Sequence, residues 1–516
     1  MTNHPRRPDD SVNAQVQAPN AYAPGLVGNV LWNFGGGLAP LLGAIIATPL
    51  LISGLGLERF GILMIAWMVV GYFNLFDMGL GRALTKLVAE RLESGRDNEN
   101  PGLIWTALAM LFALGVIGGG CLWLLSPWLA GDVLNIPSNL TPEAVASLYY
   151  LAASVPLVVL TAGLRALLDA HHRFDIANII RIPSGLWLTL SPLAVLPFSN
   201  RLDHLVLVLI AGRVVFLLVH LVVYARIRPG FLASFTLQPE VTRLLLSFGG
   251  WIAVSNILGP IMLYFDRFVI GALMTMTAVA YYTTPYEVVV KLAIVPDAIS
   301  SVLFPAFAVA LATNQARAGR LFDQGEKAIF ILIFPLVLIF LTLAYDGLSL
   351  WIDESFAQES YRVAQWLCAG VLTSAAANIP IAVIQASGRP DLTAKLHLIE
   401  LPFYVAMLFL LIKTFGLQGA AAAWTIRAAV GMAALLLIAR RLIPALKDVT
   451  TRAFKHLAFG LTVLAAGALL PDLPARLSFL AVALPTFACF VWRFTLKSEE
   501  RDFALTRLKP LLAKQT

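Results

Sequence analysis

Long apolar runs dominate this chain, separated by short polar segments that hold most of its charge. Membrane-spanning helices need about 20 apolar residues each, and fourteen runs qualify: 26–52, 59–78, 103–128, 145–168, 176–198, 203–225, 243–265, 279–308, 328–346, 361–386, 394–414, 418–439, 455–471 and 475–494. Several contain Pro or Gly, which membrane helices tolerate when neighbours satisfy the freed backbone groups. The pattern predicts an all-α, polytopic membrane protein. No loop exceeds roughly 20 residues, which leaves no room for a soluble catalytic domain.

Composition agrees with the pattern. Apolar residues make up 59% of the 516 and charged residues 13%, against roughly 45–50% and 25% in soluble proteins. Cys121, Cys368 and Cys489 each lie alone in an apolar run and read as small packing residues. Residues 1–25 form a polar tail expected to be disordered in the cytoplasm, with no apolar core of a cleavable signal.

The net charge of +7 would suggest nucleic acid, but the placement of the basic residues argues otherwise. With a cytoplasmic N-terminus, the tail, the loops after even-numbered spans and the adjoining helix ends hold 28 Lys and Arg. Six lie on the outer side (Arg59, Arg201, Arg267, Arg362, Lys413 and Arg476) and three lie deep within spans. This asymmetry places both termini in the cytoplasm, where the basic residues meet anionic inner-leaflet headgroups.

The chain also echoes itself. Leu167-Leu-Asp-Ala-His-His-Arg173-Phe-Asp175 aligns with Val383-Ile-Gln-Ala-Ser-Gly-Arg389-Pro-Asp391, 216 residues on. Arg213 and Arg427 are 214 apart, as are Ala225-Arg226 and Ala439-Arg440. Six spans per repeat give two halves of like orientation, related by an axis along the membrane normal. The expected organisation is an N-lobe at 26–242, a C-lobe at 243–445, and two additional helices at 446–516. Two parallel lobes with a site between them are the layout of an alternating-access transporter.

Gly71-Tyr-Phe-Asn-Leu-Phe-Asp77-Met-Gly-Leu-Gly-Arg82-Ala-Leu-Thr-Lys-Leu-Val-Ala-Glu90 resembles the GYxxLFDLGLGRALxxxVAE stretch of bacterial polysaccharide transporters. Arg173-Phe-Asp-Ile-Ala-Asn-Ile-Ile-Arg181, Tyr264-Phe-Asp266-Arg267-Phe-Val-Ile-Gly271 and Gly416-Leu-Gln-Gly-Ala-Ala-Ala-Ala-Trp-Thr-Ile-Arg427 are similar as well. The chain thus resembles oligosaccharide flippases of the Wzx type, in the superfamily that also holds multidrug extruders and the lipid II flippase. The resemblance covers roughly residues 26–445. It implies movement of a polyprenyl-diphosphate-linked oligosaccharide, such as an O-antigen unit, from the cytoplasmic to the outer leaflet of a bacterial inner membrane.

Charged side chains at mid-membrane are costly and mark functional candidates. Arg213 and Arg427 sit at similar depth in spans 6 and 12, and a guanidinium suits bidentate phosphate binding; structural pairing is the competing role. His220, seven residues from Arg213, extends a polar track or is a satisfied core histidine. Glu287 and Lys291 are i,i+4 neighbours that either line a cavity or neutralise one another. Asp77 and Asp297 lie near the cytoplasmic face, as pairs for Arg82, Arg165 or Arg181, or as parts of a gate. Arg181 and the repeat-equivalent His397 are candidates for an entrance that attracts an anionic headgroup.

No metal-ligand spacing, nucleotide loop or hydrolase motif occurs, so no cofactor is expected beyond a coupling cation, H⁺ or Na⁺. The expected partners are the lipid-linked substrate, membrane lipids and other polysaccharide-assembly proteins, with the chain itself a monomer. Two other functions compete. A multidrug/cation antiporter needs deep acids, whereas the mid-depth charges here are mostly basic. A membrane glycosyltransferase or polymerase depends on sizeable external loops, and here the first holds Glu58 as its single acid.

Overall fold

The computed structural model describes residues 25–75, 79–95, 100–243 and 264–496, with positions 245, 262 and 501. The polar tail 1–24, Asp77 and most of the expected seventh span lie outside the described residues. Among the described residues the chain is helical without strands. In order the helices are α1 Gly25–Leu55, α2 Leu57–Leu75, α3 Leu80–Glu93, α4 Asn100–Trp128, α5 Thr141–Ala170, α6 Phe174–Val195 and α7 Leu202–Ile227. Then come α8 (264–273), α9 Met276–Val289, α10 Ile294–Thr313, α11 Gln315–Thr342, α12 Ala344–Trp351, α13 Glu354–Ala386 and α14 Pro390–Leu442. The last two are α15 Lys447–Ala468 and α16 Leu473–Phe490.

Eight of the described helical segments are long and apolar enough to cross a membrane. One of them contains the expected span 279–308, and another takes in two expected spans. Met276–Thr313 is α9 and α10 joined by a tighter turn at Val290–Ala293. Pro390–Leu442 runs two expected spans together across Gly416, whose φ of 58° reverses the chain where a side chain would be strained. Large apolar residues on the outer surface (Leu124, Phe198, Leu350 and Phe403 among them) are more than 70% exposed, a surface suited to lipid tails rather than water.

Packing divides the helices into two halves. In the first, α5 lies on α4 and α7, and α1 on α6; in the second, α13 lies on α11 and α14. These halves meet where α2 packs on α9. There the approach is so close that a Cβ on Gly61 would strike the Met276 carbonyl, so glycine is required. At the same end, the one that the charge asymmetry assigns to the outside, the Asn135 carboxamide donates to the carbonyls of Ala272 and Met274, at 3.0 and 2.8 Å. The Asn135 amide donates to the Gly271 carbonyl at 2.9 Å. Trp351 Nε1 also donates across the halves, to the Ile45 carbonyl at 2.7 Å.

Helices α15 and α16 are clipped to the second half at both ends. Arg452 on α15 reaches Asp323 on α11 at 3.0 Å, and Arg476 on α16 reaches Asp346 on α12 at 2.8 Å.

Candidate functional site

A cavity of about 270 Å³ lies between the two halves, beside the α2–α9 contact. Helical periodicity builds its walls. On α2, Met64, Trp67, Met68 and Gly71 follow the i, i+3, i+4, i+7 spacing of one face. On α9 and the turn after it, Thr284, Glu287, Val288 and Lys291 do the same, with Thr283 beside them. α1 contributes Thr48, α6 Thr189, α8 Tyr264 and Arg267, and the end of α12 Trp351. The first half therefore offers a neutral wall and the second a charged one.

Arg267 is the centre of the charged wall. It is 1% exposed, with Nη1 3.6 Å from Asp266 Oδ1 and Nη2 3.2 Å from Glu287 Oε1. Its guanidinium lies 4.1 Å from the Tyr286 ring centroid and 5.3 Å from that of Tyr264, within cation–π range. Tyr282 donates its hydroxyl to Asp266 Oδ2 at 2.6 Å. Glu287 also faces Lys291 Nζ at 3.8 Å, and Lys291 is half exposed. Glu287 is thus shared between two cations. With Arg427, which stands 5.3 Å over the Tyr404 ring and within electrostatic reach of Asp266, the cluster of two acids and three bases carries one net positive charge. Three polar groups on the walls, Trp67 Nε1 and the hydroxyls of Thr283 and Thr284, are buried with no hydrogen-bond partner in the protein.

The structure brings Glu287 and Lys291 into the cavity and leaves the other candidates elsewhere. Arg213 on α7, which packs against α5 and α6, and Arg427 on α14 do not line it, so the two arginines do not converge there. His220 is buried, with Nδ1 2.7 Å from the Phe216 carbonyl one turn back. Arg165 and Arg181 are both exposed and within electrostatic reach of one another, and Arg165 also reaches His220. Arg82 and Asp297 are exposed, and Asp77 lies outside the described residues. His397 Nδ1 is 3.3 Å from Glu400 Oε2 on its own helix.

Arg267 is a correction. The charge count places it on the outer side, after a span ending at residue 265, yet α8 continues to residue 273 and buries it. The signal is present in the chain: Phe268-Val-Ile-Gly-Ala-Leu273 keeps the run apolar beyond the charged pair, and aromatic Tyr264 sits one turn before Arg267.

Two multihelical halves with a partly charged cavity between them are an architecture that membrane transporters share. Among solved structures, an inward-facing multidrug resistance MATE family transporter of the MOP superfamily matches at TM-score 0.69 and 17% identity, over 81% of this chain and 96% of that one. A MOP superfamily transporter from Pyrococcus furiosus, described by the reverse polarity of its binding pocket, matches at TM-score 0.56 and 16% identity over 82% and 94%. These likenesses establish the fold. Residues 26–311 match the family described as "Polysaccharide biosynthesis protein", and a "Putative O-antigen transporter" of Shigella flexneri is 32% identical over 404 residues, 78% of this chain and 94% of that one. The chain belongs to the polysaccharide biosynthesis protein family, as its motifs indicate.

Proposed function

We propose that this protein is a flippase that carries a polyprenyl-diphosphate-linked oligosaccharide from the cytoplasmic to the outer leaflet of a bacterial inner membrane. The observation that carries this is the charged wall, where Glu287 holds buried Arg267 at 3.2 Å and half-exposed Lys291 only at 3.8 Å, a contact that Lys291 can exchange for an anionic headgroup. Lysine serves phosphate as a mobile point charge. The unpartnered Trp67 indole N–H and the Thr283 and Thr284 hydroxyls supply hydrogen bonds, and the Trp67 ring a stacking face, for a hydroxyl-rich sugar. The named function of the Shigella relative supports the same substrate class. A multidrug antiporter on this fold is favoured by the MATE likeness alone, and a cationic drug would meet an excess of positive charge.

Transport of the lipid-linked saccharide into inverted membrane vesicles tests this. Lys291→Gln should reduce it at least tenfold at normal abundance, with Lys291→Arg restoring much of it. Wild-type rates in Lys291→Gln, together with undiminished efflux of a cationic dye, would favour the antiporter.

A further inference from the structure

Away from the cavity, α11 presents three ionisable residues within two turns: Asp323, Glu326 and Lys327. Their neighbours are unequal. Asp323 takes both nearby cations, Lys327 Nζ at 2.8 Å and Arg452 Nη2 at 3.0 Å. Glu326 is 6% exposed, and its Oε1 has no hydrogen-bond partner. It opens instead onto a cavity of about 10 Å³ between α11, α13 and α15. That is room for about one water. His456 of α15, whose ring lies nearly parallel to Phe330 at 5.3 Å, lines the same cavity, and α13 adds apolar Leu372 and Ala376. Besides Glu326, the ionisable group that lines the cavity is His456, and Asp323 and Lys327 from α11 and Arg452 from α15 stand within electrostatic reach of it.

A carboxylate buried without a partner is unfavourable unless it holds a proton or faces a cation. We infer that Glu326 and His456 form a proton-binding site, bridged by one water, which fastens α15 to the second half of the molecule. The pair holds one proton, either on the carboxyl or on the imidazole, and is neutral in both forms. Loss of that proton to solvent at alkaline pH leaves a buried carboxylate with both neighbouring cations already engaged by Asp323. Gain of a second proton in acid leaves an imidazolium against Lys327 and Arg452. Docking of α15 is therefore strongest in the one-proton state and weakens on either side of it. A metal ion is disfavoured, since one carboxylate and one imidazole fall short of a coordination shell.

The test uses the full-length protein in lipid nanodiscs and two readouts, the melting temperature against pH and the infrared band of a protonated carboxylic acid. Wild type should lose several degrees of melting temperature from neutral to alkaline pH. Glu326→Gln, neutral and of the same shape, should be at least as stable, lose that alkaline decline, and lack the band. His456→Phe keeps the ring on Phe330 but removes its nitrogens. It should melt a few degrees lower at neutral pH and shift the band. Unchanged pH dependence or an unchanged band in Glu326→Gln would overturn the site, as would failure of that variant to fold, which would mean the negative charge is needed. A His456→Phe variant identical to wild type in both readouts would remove histidine from it.

Discussion

Arg267 neutralises Asp266 and Glu287 at once, so its two obvious substitutions should behave differently. Arg267→Leu leaves a fully buried Asp266 without its cation, and breaking a buried pair in this way costs about 3–5 kcal/mol; protein abundance in the membrane should fall sharply. Arg267→Lys keeps the charge but loses the planar fork that reaches both carboxylates, so abundance should recover while transport stays impaired. Equal abundance of the two variants, measured by quantitative immunoblot, would count against this. Arg213→Gln and Arg427→Gln separate binding from support in the same manner. If each arginine contacts the diphosphate in some stage of transport, transport per molecule should drop for both; a well-expressed double variant with full activity would dismiss them. The spacing of these two arginines, 214 residues apart, is plain in the sequence. That neither side chain lines the cavity between the halves is not, because it depends on the rotation of each helix about its own axis.

Between elements, hydrogen bonds at the Asn135 end join the two halves. Asn135 makes three hydrogen bonds to the 271–274 segment, and Trp351 ties α12 to α1. If the halves rock apart at this end during transport, these bonds must break, and removing them shifts the balance towards the open form. Asn135→Ala loses two side-chain bonds, each worth about 1 kcal/mol, which predicts a several-fold rise in labelling of a cysteine at Thr48 by an impermeant reagent added from outside. Unaltered labelling would show that this end is held by other contacts. One cap gives a pH expectation of known sign. Asp353 caps α13 through the Phe356 N–H at 2.8 Å and accepts from the Ser355 hydroxyl at 2.6 Å, and these bonds hold its carboxyl below the usual range, the Ser355 bond most of all. A group whose value is lowered on folding stabilises the folded state above its ordinary value, and that contribution fades as pH falls through the lowered one. Asp353→Ala should therefore cost about 1 kcal/mol near neutrality and nothing in strong acid, as followed by thermal melting. Element boundaries were legible wherever apolar runs ended at clear polar breaks, as at Ala170 and Ala386. They were not where charge sits inside a helix: Asp266-Arg267 resembles a loop in one dimension and is a buried pair in three.

For the whole molecule, the direction of transport is a question of charge and field. A diphosphate carries about two negative charges, and each charge moved outward across 100 mV is worth about 2.3 kcal/mol. Outward flipping is thus downhill by roughly twice that, so long as the protein's own net positive charge does not travel with the substrate. Collapsing the potential in vesicles while keeping the pH gradient should slow transport; undiminished rates would point to a coupled cation instead. The central claim, that the carried molecule is a lipid-linked saccharide and that it moves outward, is tested most directly by depleting the protein in cells and probing each leaflet for lipid-linked glycan. A complete lipid-linked oligosaccharide should accumulate on the cytoplasmic leaflet and disappear from the outer one, reversed by wild type but not by Lys291→Gln. Unchanged glycan on both leaflets after depletion would contradict that claim.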